Sequence, residues 1–225
     1  MKAKIIMLSA LGVASFGLTQ AANASWDSGA CPQPHTGPAP CVERNINGTW
    51  EHFNGDGSHA DEWHGPIEFV GTSTLGCSIA TAECTLSLTG NVKKFQDGSG
   101  NWHIGIQVVD GDVTGSGLCP GINLSGFPWY AGPTTMHTGF SSSTGIPYPG
   151  PYVGNMGNIN LTALGGLITV NNSHVHDVTF DNNGSGASYF DFDSPLYTGG
   201  NSDNDSGCDV DGRLFVNTYD DINIY

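Results

Sequence analysis

His174 and His176 are the two residues of this chain best spaced to chelate a metal ion. On an extended strand, side chains at i and i+2 point to the same side, which suits zinc or copper held through imidazole nitrogens. Spacing fixes no third ligand. Regular alternation also puts Val178 and Phe180 on that side, which turns both imidazoles toward the expected core. Hydrogen-bonded histidines at the margin of a sheet would have the same pattern.

Asp203, Asp205, Asp209 and Asp211 form a second candidate, for calcium. A helix-flanked calcium loop needs Gly at position six and Glu at position twelve, and counting from Asp203 puts Cys208 and Leu214 there. A looser site of carboxylates and carbonyls is the form left open, against a solvated acidic turn. His52, His59 and His64, with Asp56, Asp61 and Glu62, fit neither a HExxH helix nor a zinc-finger spacing, and loop composition alone accounts for them. There is no G-x-S-x-G nucleophile elbow. Five glutamates, Glu43, Glu51, Glu62, Glu68 and Glu83, offer acid–base pairs only in the sense that any acidic chain does. We therefore assign no catalytic residue, and no cofactor beyond a candidate Ca2+ or transition-metal ion. Trp102, Trp129, Tyr130, Tyr148 and Tyr152 could stack on a sugar, but filling a core is the expected use.

The elements that would carry these residues are strands. Cys84 to Val92 alternates, with Cys84, Leu86, Leu88 and Val92 on one face and Thr85, Ser87 and Thr89 on the other. Asp97-Gly98-Ser99-Gly100 predicts a turn into a partner strand, Trp102 to Val108. Further strands are expected at 67–72, 109–115, 159–163, 166–171, 174–181, 187–192 and 209–219, with a long Pro- and Gly-rich loop at 127–158. Many short strands with turn signals between them predict an all-β fold, a disulfide-stabilised β-sandwich of Greek-key or jelly-roll type.

Residues 1–24 have the form of a signal peptide. Lys2 and Lys4 precede an apolar stretch from Ile5 to Leu18, and Ala22-Asn23-Ala24 offers a small-x-small cleavage site. The stretch is short for a membrane span, and no later segment approaches the ~18 apolar residues one needs. The expected organisation is a signal at 1–24, a Pro-rich extended leader at 25–48 and the β domain at 49–225. The expected location is outside the cell or at its surface.

Charge narrows the partners. The chain holds 6 Lys and Arg against 21 Asp and Glu, a net −15. Loss of the signal would leave Arg44, Lys93, Lys94 and Arg213 as the cations. Such a surface repels phosphates, which excludes nucleic acid as a partner. All six cysteines lie beyond the signal, an even set that predicts disulfides in an oxidising compartment. Cys31 and Cys41 are the easiest local pair; Cys77, Cys84, Cys119 and Cys208 leave more than one pairing open.

Four short motifs occur in a shared order: Cys84-Thr-Leu-Ser-Leu-Thr-Gly-Asn-Val92, Gly115-Ser-Gly-Leu-Cys119, Gly126-Phe-Pro-Trp129 and Gly207-Cys-Asp-Val-Asp-Gly-Arg-Leu214. In this order the chain resembles the PraB family, secreted bacterial proteins described as activators of alkane oxidation. The motifs span about a third of the mature chain. The chain departs from the family in its His- and Pro-rich N-terminal region, in Cys31, Cys41 and Cys77, and in its stronger acidity.

The resemblance implies a non-enzymatic exported protein of biofilm matrix, adhesion or growth on hydrocarbon. It supplies no catalytic residues. On that basis the expected function is adhesion or self-assembly, with another copy paired by strand addition, or surface and matrix components, as partner. The leader and the terminal strand 214–225 are the segments that could add to a neighbour. The alternative is a calcium- or transition-metal-dependent carbohydrate-binding module or hydrolase. A third reading, a binder of hydrophobic ligands, has no unambiguous apolar cavity in the sequence to support it.

Overall fold

A computed structural model describes residues 40–46, 49–52, 62–182, 186–217 and 220–224. The expected signal peptide, the leader up to residue 39 and most of the 52–61 histidine cluster lie outside the described residues. Regular structure in the described residues is almost all strand: β1 (Val42–Ile46), β2 (Thr49–His52), β3 (His64–Cys77), β4 (Ala80–Gln96), β5 (Trp102–Thr114), β6 (Asn123–Ser125), β7 (Trp129–Gly132), β8 (Ile146–Pro147), β9 (Val153–Ala163), β10 (Ile168–Asp181), β11 (Tyr189–Tyr197), β12 (Asp205–Val216) and β13 (Asp220–Ile224). Two short 3-10 turns, Cys119–Gly121 and Leu164–Gly166, interrupt them.

The sheet closes on itself. Hydrogen bonding runs β10-β11-β12-β3-β4-β5-β7-β9, and β9 pairs back onto β10, so eight antiparallel strands make a barrel. The expected sandwich is therefore corrected. Both architectures bury one face of each strand and expose the other, so alternation cannot tell them apart; closure depends on which strands find each other. Between β5 and β9 the wall is pieced together from short strands. β7 bridges the two, β8 pairs with β5 and β6 pairs with β9.

The Cys84–Val92 alternation sets the direction of β4. Leu86, Leu88 and Val92 point into the barrel, and the polar set Thr85, Ser87 and Thr89 faces out. The Asp97 turn forms as expected. Its carboxylate accepts the backbone N–H of Ser99 at 2.8 Å and of Asn101 at 2.9 Å, joining β4 to β5. Across the barrel, Asp209, Asp211 and Arg213 stand exposed on β12 while Leu214 is buried. Apolar inside and charged outside is the reverse of a lipid-facing barrel. No helix among the described residues is long and apolar enough to cross a membrane.

Glycine allows one close approach in the wall. A Cβ on Gly71 would lie 1.9 Å from the Arg213 carbonyl oxygen on the neighbouring β12. Two of the few cations are buried: Lys93 is 6% exposed and Lys94 1%. The Lys94 ammonium sits 4.8 Å from the Trp102 ring, and that of Lys93 lies 4.9 Å from Trp63 and 4.8 Å from Phe95. Aromatic faces supply part of the field that water would otherwise provide.

β1, β2 and β13 form a separate three-stranded sheet in the order β13-β1-β2, with Val42 opposite Ile224. Val42–Ile46, inside the stretch expected as leader, is thus paired with the C-terminal strand of its own chain. Ile222 and Ile224 of β13 line the barrel interior, so this small sheet stops one end.

Two disulfides brace the barrel. Cys77 and Cys208 are directly opposed on β3 and β12, with S–S 2.09 Å. Cys84 on β4 joins Cys119 in the 3-10 turn, with S–S 2.11 Å. The structure thus chooses among the pairings left open by the sequence. Cys41 is also disulfide-bonded; the expected pair rests on Cys31, which lies outside the described residues.

Candidate metal centre

β10 does not alternate evenly. Its register with β9 shifts between Val175 and Val178, and Asp177 has φ 53°, the left-handed region that non-glycine residues seldom occupy. This bulge changes the parity expected from the sequence. Val175, Val178 and Phe180 all face the barrel interior, while His174 and His176 share the opposite, outer side. The expectation that both imidazoles accompany Val178 and Phe180 is corrected: one extra residue at Asp177 separates the two sets.

The outer side is covered by residues 133–145, the loop between β7 and β8. That loop delivers a third imidazole, His137. Ligand nitrogens of His137, His174 and His176 all lie within 4.8 Å of one another. The closest approach, His137 Nδ1 to His176 Nε2, is 3.1 Å. Nitrogens bound at tetrahedral-metal distances stand about 3.3 Å apart; the His137–His176 pair is already near that spacing, and the other nitrogens, within 4.8 Å, would close on the ion by rotation of their rings.

Each histidine is positioned by identifiable neighbours. The His176 backbone N–H donates to Ser194 Oγ at 2.9 Å, tying β10 to β11. Tyr197, also on β11, stacks on the His176 ring with centroids 4.3 Å apart. Phe140 lies over His174 from the covering loop, centroids 6.1 Å apart. Asn155 on β9, 1% exposed, donates its side-chain amide to the carbonyls of Thr134 at 3.0 Å and Met136 at 2.8 Å, holding the turn just before His137.

The electrostatics favour neutral imidazoles at His174 and His176. Burial is the main cause holding His174 down at about 4, with His176 and His137 adding repulsion. His176 is lowered chiefly by burial and then by His137, with Asp177 opposing. A neutral imidazole is the form that binds metal. His174 is 1% exposed, yet its Nε2 has no hydrogen-bond partner. A buried nitrogen without a partner is costly in a protein interior. A cation shared by the three rings would satisfy it. Three nitrogen donors leave a fourth position for water or another ligand, as in zinc sites that are not purely structural.

Of the residues singled out in the sequence, the fold thus joins His174 and His176. Asp203, Asp205, Asp209 and Asp211 belong to no convergent group among the described residues. The Asp203 backbone N–H donates to Asn201 Oδ1, Asp205 accepts the Gly207 N–H, and Asp209 and Asp211 project from β12 into solvent. The aromatics serve the wall and the core. Trp129 and Tyr152 are buried, and the Trp129 indole N–H donates to the Ser125 carbonyl at 2.9 Å. His137 is the residue the sequence reading missed. Its one signal is that no other histidine falls between His103 and His174.

No known protein family, curated protein or solved structure matches the chain.

Proposed function

We propose that this chain is an exported β-barrel protein that binds a transition-metal ion through His137, His174 and His176, with zinc or copper as the ion. The observation that carries the proposal is the convergence of three ring nitrogens, one from each histidine, at a buried His174 whose Nε2 has no hydrogen-bond partner. Imidazole donors suit Zn2+ and Cu2+ and disfavour Ca2+, which takes oxygen ligands. Two ligands come from a rigid strand and one from a covering loop, so binding would also fix that loop against the barrel. The proposed role is binding rather than turnover.

Elemental analysis of purified protein, followed by titration of apo-protein with Zn2+ and Cu2+, tests it. One metal ion per chain is expected, lost when His174 and His176 are both replaced by alanine. Retention of stoichiometric metal by that double variant would overturn the assignment.

A second reading, self-association in a surface or matrix layer, is supported by one feature besides the resemblance to the PraB family. The eight strands of the closed ring are each paired on both sides, whereas at the edge of the small sheet β2 pairs, among the described residues, only with β1. A strand from another copy could add there. Sedimentation over a wide concentration range tests this reading, and a monomer throughout counts against it.

A further inference from the structure

The barrel is not filled by its side chains. An internal cavity of about 130 Å3 is lined from all eight wall strands and from β13. A second cavity of about 60 Å3 adjoins it, and the two share Ser73, Leu86, Leu124, Leu161 and Val210 as walls. The hollow therefore runs along the barrel. One end is stopped by Ile222 and Ile224 of the three-stranded sheet. Toward the other end the walls are Leu75, Cys84 and Ile122, beside the 3-10 turn held by the Cys84–Cys119 disulfide.

The chemistry of this lining is one-sided. Ser73 and Asn91 are the polar side chains among the residues bordering the larger cavity; the remainder are aliphatic, aromatic or glycine. A buried water needs two to four polar partners to be held, and an apolar cavity of roughly 150 Å3 stays dry and takes up benzene or xenon. Eight-stranded barrels are also the size at which the interior either fills or holds one small ligand.

We infer that the barrel interior is a binding site for one uncharged, hydrocarbon-like small molecule of about benzene size. Among the described residues no cationic side chain borders the cavity, so a carboxylate inside would have no counter-charge there, and the occupant is neutral. The site is separate from the histidine trio. Val175 and Val178 present the inner side of β10 to the cavity, while His174 and His176 use its outer side.

The test uses apo full-length secreted protein with benzene as the probe, read by the 13C-methyl signal of Met156, which lines the cavity. Saturable displacement of that signal is expected, with a rise in melting temperature of roughly 2–8 °C at saturation. Leu161→Phe, placed where the two cavities meet, should lose both responses. Crystals of the unaltered protein under xenon pressure give a second measurement that needs no variant, with density expected between Trp129, Met156 and Leu161. An unmoved Met156 signal, or a barrel interior without xenon, would mean that the hollow is a packing gap and would overturn the inference.

Discussion

Asn155 and Asp177 are joined across the β9–β10 ladder: the Asp177 backbone N–H donates to Asn155 Oδ1 at 3.2 Å. Through its amide nitrogen the same asparagine holds the Thr134 and Met136 carbonyls of the covering loop. One buried side chain therefore secures the bulge that turns His174 and His176 outward and the loop that brings His137 onto them. Asn155 touches none of the three rings in these contacts, so it is a positioning residue.

Replacing Asn155 should weaken metal binding without removing a ligand. Asn155→Asp keeps an acceptor for Asp177 but loses the donor to the loop, whereas Asn155→Ala loses both. Supporting contacts of this kind are worth ~10–100-fold in metal affinity. Competition titration with a zinc chelator should find wild type tightest, Asn155→Asp weaker and Asn155→Ala weakest. Equal affinities in all three would show that the loop finds its place without this residue.

Acid should destabilise the metal-free protein through the same histidines. Burial holds His174 at about 4 in the folded chain against an ordinary 6.5, so between those values the unfolded chain binds the extra proton. Stability then rises with pH across that window and is lost as pH falls from about 6.5 to 4. The loss from His174 alone is on the order of 3 kcal/mol, and His176 adds in the same direction. Urea midpoints of apo-protein at pH 7 and pH 4.5 should differ more for wild type than for His174→Gln. An equally steep difference in the variant would place the acid sensitivity elsewhere.

The contrast between β4 and β10 explains how much of the fold and the site is legible in the sequence. On β4 the side chains alternate without interruption from Cys84 to Leu88, and its inner face and the Asp97 turn follow from residue types alone. On β10 the sequence alternates just as plainly across His174, His176 and Val178, but the backbone does not, because Asp177 takes a left-handed conformation secured by a residue 22 positions away. Local pattern carries no record of such a contact. His137 is hidden for the same reason: its role depends on Asn155 and Asn158, which hold the loop through the Met136 and Phe140 carbonyls. The long loop expected at 127–158 in fact contains β7, β8 and the start of β9, short wall pieces recruited by strands already in place. Likewise β5 reads as two strands in the sequence because its register shifts opposite Thr89 and Gly90.

The two described disulfides should differ in what they contribute. Cys77–Cys208 links positions 131 apart and Cys84–Cys119 positions 35 apart. If each acts mainly by restricting the unfolded chain, either is worth ~2–5 kcal/mol, and the longer loop about 1 kcal/mol more. Urea unfolding of the Cys77→Ala/Cys208→Ala and Cys84→Ala/Cys119→Ala proteins compares them directly. A larger loss from the shorter loop would mean that Cys84–Cys119 acts in the folded state instead, by fixing the 3-10 turn at the barrel end.

Gly157 provides the sharpest steric test of the covering loop. It pairs with His174 across the β9–β10 ladder, and a Cβ there would meet the Phe140 ring at 2.0 Å. Phe140 is 7% exposed and lies over His174, so Gly157→Ala must displace the ring that covers the histidine. Overpacking of this kind costs ~1–3 kcal/mol. Moving Phe140 should also admit water to His174 and relax the burial that keeps its pKa low, so the His174 titration should move up toward the ordinary histidine value. Ring-proton NMR of His174 across the acid-to-neutral range measures the shift, and thermal unfolding measures the cost. A destabilised variant with an unmoved His174 titration would show that the strand and Tyr197, rather than Phe140, keep this nitrogen dry.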